Sequence, residues 1–162
     1  MADKVRMILK AIDSEKETFI VSDADVSFYD LSISELLTSR ATVTYALDCP
    51  LTDTEQPSYC AGFATIQPGP LSRELYTIVL DNLEKNSREQ AVLTGIAIPH
   101  MIARYPNDFR VDFLPPDRYW NKTHPRSNRK LAVHHANWII GVSAKLAELK
   151  RIRDLEQAAA RF

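Results

Sequence analysis

Residues 19–30 read FIVSDADVSFYD. Phe19, Ile20 and Val21 form a short apolar run between polar neighbours, the pattern of a buried strand inside a mixed or parallel sheet. That run empties directly into Ser22, Asp23, Ala24 and Asp25. Two carboxylates one residue apart, just past a strand, can converge on a hard divalent cation where the chain turns. Mg²⁺ and Mn²⁺ favour carboxylate oxygen, and the ends of strands are where ligands sit in open α/β sheets. A turn whose Asp side chains cap nearby backbone N–H groups fits the same spacing.

Upstream, Val5, Ile8, Leu9 and Ile12 fall at i, i+3, i+4 and i+7, which predicts an amphipathic helix with Lys4, Arg6, Lys10 and Asp13 on its polar side. Downstream, residues 31–37 suggest a helical turn, and 41–47 a strand with Val43, Tyr45 and Leu47 on one side. Residues 50–58 are a polar loop. A third strand is expected over 62–67, stopped by Pro68, Gly69 and Pro70, and a helix over 71–83. Ser87 with Gln90 resembles a capping box that opens a helix running to about Ile102. Residues 109–114 alternate as a strand, 119–130 read as a basic irregular surface loop, and 131–135 as another short strand. Val142, Leu146, Leu149 and Ile152 place a final helix against the core. Strands interleaved with helices argue for one α/β domain over residues 1–162.

Composition agrees. The 162 residues are 45% hydrophobic and 25% charged, ordinary for a soluble globular chain. Twenty Lys and Arg against 21 Asp and Glu give a net charge of −1, without the basic footprint of a nucleic-acid binder. With only 4 glycines, neither a P-loop nor a G-x-G-x-x-G spacing occurs. Cys49 and Cys60 could bridge, but one pair is no disulfide framework, and buried free thiols are the expected state. No signal-peptide core opens the chain and no window has the length of a membrane span. The sequence as written thus reads as a cytoplasmic protein.

Other residues able to carry chemistry cluster late in the chain. His134 and His135 close a buried strand, and neutral imidazole suits Mn²⁺ and other transition metals. A structural hydrogen-bonding role is the plainer reading of either. Lys145 lies early in the last helix, where a cation opposes the helix dipole, so a ligand-facing task such as phosphate contact competes with simple solvation. Glu89 could meet substrate hydroxyls, although a first helical turn favours negative charge in any case. Arg118, Lys122, Arg126, Arg129 and Lys130 could attract an anion or form ordinary solvated surface.

Taken in order, these segments resemble the nucleotide-diphospho-sugar transferase domain of GT-A fold glycosyltransferases. The segment AVHHANWIIGVSAKLAELKR resembles the family's His-x-Asn-Trp-(x)2-Gly-(x)3-Lys signature, here His135, Asn137, Trp138, Gly141 and Lys145. FIVSDADVSFYD resembles its strand and Asp-x-Asp motif, with Asp30 near the downstream acidic position. YCAGFATIQPGPLSRELYTIVLDNL resembles the family's middle stretch, a Gly-Phe strand followed by a helix, and NSREQAVL resembles the acidic-Gln step that precedes the next helix. The resemblance implies a Rossmann-like GT-A mixed sheet flanked by helices. It implies that Asp23, Asp25 and His135 hold Mn²⁺ or Mg²⁺, with His134 the competing ligand. Lys145, with Gly141, Asn137 and Trp138, would serve the diphosphate of a nucleotide sugar such as a UDP-sugar, and Glu89 and Gln90 would lie near the donor sugar or acceptor. The acceptor would be a hydroxyl of a glycan, protein or small molecule, and transfer would proceed with retention.

A βαβ unit takes about 30 residues or more, yet only 22 precede Asp23. The expectation is a domain lacking its N-terminal nucleotide-binding half, which would belong in the secretory lumen if an anchor were lost with it. The alternative is a non-catalytic binding or assembly domain that keeps the fold without the donor pocket.

Overall fold

The computed structural model describes residues 1–29, 34–37, 39–48, 58–83, 88–121, 131–136 and 139–159. In chain order these form α1 (Ala2–Ser14), β1 (Phe19–Ser22), β2 (Val26–Phe28), α2 (Ser34–Leu37), β3 (Val43–Leu47), β4 (Tyr59–Ile66) and α3 (Pro70–Leu83). They continue with α4 (Glu89–Val92), a π-helical turn (Leu93–Ala97), α5 (Ile98–Arg104), β5 (Val111–Phe113), β6 (Tyr119–Asn121), β7 (Val133–His135) and α6 (Val142–Ala159). The mixed α/β architecture is the one expected. Its strands, however, divide between two mixed sheets, ordered β1-β4-β3-β5 and β2-β7-β6.

In the first sheet β4 runs antiparallel to both β1 and β3, while β5 joins β3 in parallel. In the second, β2 is antiparallel and β6 parallel to β7. All five residues of β3 are buried. Val43 and Tyr45 face a core made with α1, α3 and α5, whereas Ala46 joins a second core that links the two sheets. Val5, Ile8 and Ile12 of α1 reach the first core at the expected helical spacing, each burial stabilising by roughly 1.5–3 kcal/mol. In the second core, Phe63 of the first sheet stacks on Tyr119 of the second at 6.0 Å between ring centroids.

Three expectations need correction, and one is refined. Strand β1 is an edge strand among the described residues, not an interior one. Its apolar run arises because Phe19 and Val21 pack on the first core while Ile20 packs on the second, so both faces are covered though one edge is not. Tyr119–Asn121 forms β6 rather than irregular loop, because distant β7 supplies a ladder partner that local composition does not reveal. The helix expected to run to about Ile102 is present, helical without interruption from Glu89 to Arg104, but its middle is a π turn between α4 and α5. Pro99 lacks the N–H that would bond the Gly95 carbonyl, and its ring would collide there, so Ile98 N–H reaches back to Leu93 O in a π turn. The Ser87 capping box lies outside the described residues. Finally, α6 does not lay Val142 and Leu146 on the core. They are 75% and 59% exposed, whereas Ile152 and Glu156 are the buried pair. Glu156 sits inside because its carboxylate accepts the Leu131 N–H at 3.1 Å.

Candidate active site

The Asp23–Asp25 turn is the passage from one sheet to the other, since β1 belongs to the first and β2 to the second. Backbone bonds fix it on both sides: Asp23 N–H donates to Gly62 O at 2.8 Å, and Ala136 N–H donates to Asp25 O at 3.0 Å. Strand β4 makes room for this turn. Its register against β3 jumps between Tyr45/Ala64 and Ala46/Cys60, leaving Ala61, Gly62 and Phe63 out of that ladder. Gly62 lies directly under the His135 ring, where an added Cβ would fall 2.1 Å from Cε1. This close approach, not a special backbone angle, is what calls for glycine.

His135, at the end of β7, reaches across to Asp25 with Nε2 3.2 Å from Oδ1. Its other nitrogen lies 3.3 Å from the Cys60 thiol. The Lys145 ammonium, on the first turns of α6, bonds the second oxygen of Asp25. Asp23 is paired separately with Lys4 of α1 at 2.9 Å. Lys4 also meets Glu89 at 3.2 Å and donates to Ala61 O at 2.7 Å. Beside Glu89, the Gln90 amide donates to Asp48 at 2.5 Å and to Ser58 at 3.3 Å. Lys4, Asp23, Asp48, Glu89, Gln90 and His135 all line a cleft of about 620 Å³.

Charge is closely balanced there. Burial raises the Asp25 carboxyl, but Lys145 and His135 outweigh it and hold the group below its ordinary value. Burial lowers His135 more than Asp25 and Asp23 raise it, so the imidazole is neutral at pH 7 and one nitrogen keeps a lone pair. Burial pushes Glu89 above the usual carboxylate range despite Lys4. Lys4, also disfavoured by burial, is held above its ordinary value by Glu89 and Asp23 together. Burial also drives the Cys60 thiol up to about 12, so it stays protonated.

Ligand atoms of Asp23, Asp25 and His135 lie within 4.8 Å of one another. Two carboxylate oxygens and a neutral imidazole nitrogen this close together are a donor set that could hold a divalent cation. The structure therefore gathers Asp23, Asp25, His135, Lys145, Glu89 and Gln90, which sequence spacing singled out. It also separates the two histidines. His134 is fully buried on the opposite side of β7, opposite Ser27 and Trp120, away from the cleft. Gly141 begins the turn into α6 with φ of 91°, the left-handed region that glycine allows, and its carbonyl accepts the Lys145 N–H at 3.1 Å. Asn137, Trp138, Asp30, Cys49 and the cationic residues at 122, 126, 129 and 130 lie outside the described residues.

Lys4, Asp48 and Gly62 were not singled out by sequence. Two carried a usable signal: Asp48 is the first carboxylate past an apolar strand, as Asp23 is, and Gly62 is a glycine inside a strand pattern. Lys4 carried none, because a helical lysine on a polar face is ordinary.

Residues 1–149 match the nucleotide-diphospho-sugar transferase family. The chain belongs to that family. Among curated proteins, no sequence matches this chain significantly. Solved structures do match its fold. One is a glycosyltransferase involved in the glycosylation of the major capsid of PBCV-1, similar at a TM-score of 0.64 and 16% identity over 92% of this chain and 76% of that one. Another is the galactosyltransferase LgtC in complex with donor and acceptor sugar analogs, at 0.58 and 16% identity over 94% of this chain and 66% of LgtC. The GT-A fold expected from the motifs is thus the observed fold. No described helix of the chain is long and apolar enough to cross a membrane.

Proposed function

We propose that this domain is a metal-dependent glycosyltransferase that moves a sugar from a nucleotide diphosphate, a UDP-sugar, to a hydroxyl of a glycan, protein or small-molecule acceptor, with retention. The observation that carries the reading is the convergence of Asp23, Asp25 and His135, the first and last of which line the cleft. These three would hold Mn²⁺ or Mg²⁺. Bound there, the cation would supply electrostatic stabilisation to a leaving diphosphate. Lys145 already lies against Asp25 and would contact the same diphosphate, with Gly141, Asn137 and Trp138 on the segment that delivers it. Glu89 and Gln90, held by Lys4 and Asp48, would orient the donor sugar or the acceptor.

The test is calorimetry with UDP and Mn²⁺. Heat is expected for wild type and its loss in Asp25→Ala. No heat for wild type, or unchanged heat in the variant, removes the reading. A second reading, a non-catalytic binding domain, is favoured by one observation: both Asp carboxylates already carry an ammonium partner, so the site is electrostatically satisfied by its own chain. That reading expects no Mn²⁺ heat at all.

A further inference from the structure

His135 is held from three sides. Its face covers Gly62, Nε2 faces Asp25 and Nδ1 faces the Cys60 thiol. Both partners of the Cys60–His135 contact are buried, at 2% and 7% exposure. A neutral imidazole carries one N–H and one lone pair. The Asp25 carboxylate only accepts, so the proton must sit on Nε2 and Nδ1 must accept from the thiol. A cation taken up by Asp25 and His135 reverses this demand. Nε2 must then offer its lone pair, the ring proton must sit on Nδ1, and the group facing Nδ1 must accept. A thiol can do both, because it has an S–H and sulfur lone pairs.

The geometry points to Cys60 as a positioning residue for His135: it satisfies Nδ1 in either tautomer and so lets Nε2 exchange Asp25 for a cation without the ring moving. The inference rests on the cation reading above and adds a residue that sequence spacing did not assign. Gly62 is part of the same device, since the absence of a Cβ there lets the ring pack directly over the backbone of β4. Groups of this kind, bonded to the far nitrogen of a metal-binding histidine, typically change affinity by about 10–100-fold.

The experiment compares Mn²⁺ affinity, measured by electron paramagnetic resonance with UDP present, in wild type, Cys60→Val and Cys60→Ser. Valine keeps approximate volume and loses both hydrogen-bonding capacities, whereas serine keeps both. The expected result is affinity about tenfold or more weaker in the valine variant and within about threefold of wild type in the serine variant. Wild-type affinity in Cys60→Val, or equal weakness in both variants, overturns the inference while leaving the cation reading standing. A wild type that binds no Mn²⁺ overturns both. If the valine variant does not fold, nitrogen NMR of histidine in the metal-free wild type decides: protonation at Nε2 of His135 supports the inference, and protonation at Nδ1 overturns it.

Discussion

Replacing Gly62 by alanine tests whether the close approach under His135 builds the site. The new Cβ would lie 2.1 Å from Cε1, 2.7 Å from Nδ1 and 2.8 Å from Nε2, where ordinary contact begins at 3.4 Å. The ring would have to retreat by about 1.3 Å along its nearest contact. Retreat breaks the Cys60 or Asp25 contact, and His135 is tied through β7 to β2 and β6. Overpacking of this kind costs about 1–3 kcal/mol. In a domain of this size that corresponds to a fall in Tm of about 2–12 °C. The backbone angle of Gly62 is not left-handed, so the cost comes from space alone. Thermal unfolding measures it, and a cycle with His135→Ala isolates the cause, because without the ring the alanine fits. Gly62→Ala should be costly in wild type and nearly neutral in His135→Ala. An equal cost in both backgrounds would refute the reasoning.

Lys4→Met leaves Glu89 buried without its cation and should destabilise by about 1–3 kcal/mol in urea unfolding, with part of the loss recovered by adding Glu89→Gln. An unrecovered loss would show that packing of the lysine stem, not charge, is the cause. Tyr45 and Tyr76 hydroxyls bond at 2.9 Å in the core. Tyr76→Phe alone should cost about 1–2 kcal/mol and the double phenylalanine less than the sum of the singles. Additive losses would contradict a shared bond. The pH dependence follows from His135, which burial holds below its ordinary value against Asp25 and Asp23, with Lys145 also lowering it. The unfolded chain therefore takes up this proton first as pH falls through about 6.5, and stability should decline below that point. Urea unfolding at several pH values should show a flatter profile in His135→Gln, and parallel profiles would exclude the histidine as the source. Glu89, shifted the opposite way, is common to both chains in this comparison.

What the sequence made legible was local. The apolar runs that became β1 and β3, the spacing of Val5, Ile8 and Ile12, and the proline that opens α3 are all decided by neighbours within a turn or two. So was the candidate site in outline, because Asp23 and Asp25 sit at a strand end and His135 at another. What was hidden depends on partners far along the chain. Strand β6 needs β7, the burial of Glu156 needs the Leu131 N–H, and the role of Lys4 needs Glu89 and Asp23 brought beneath α1. Helical spacing in α6 showed that one face was apolar, but not that solvent would meet its first half. The π turn is a different case, since the helix continues through Pro99 and only its hydrogen-bond pattern changes there.

Helix α6 is, among the described residues, a beam clamped at its far end. Ile152 and Glu156 anchor it to the body of the domain, whereas Val142 and Leu146 near its start stand in solvent. At that free end the Lys145–Asp25 ion pair acts as a catch. Whatever draws either partner away, a cation on the carboxylate or an anion on the ammonium, releases the start of the beam with little apolar contact to lose. The cost of unfastening that end is therefore set almost wholly by charge, and the cost of unfastening the other end by burial.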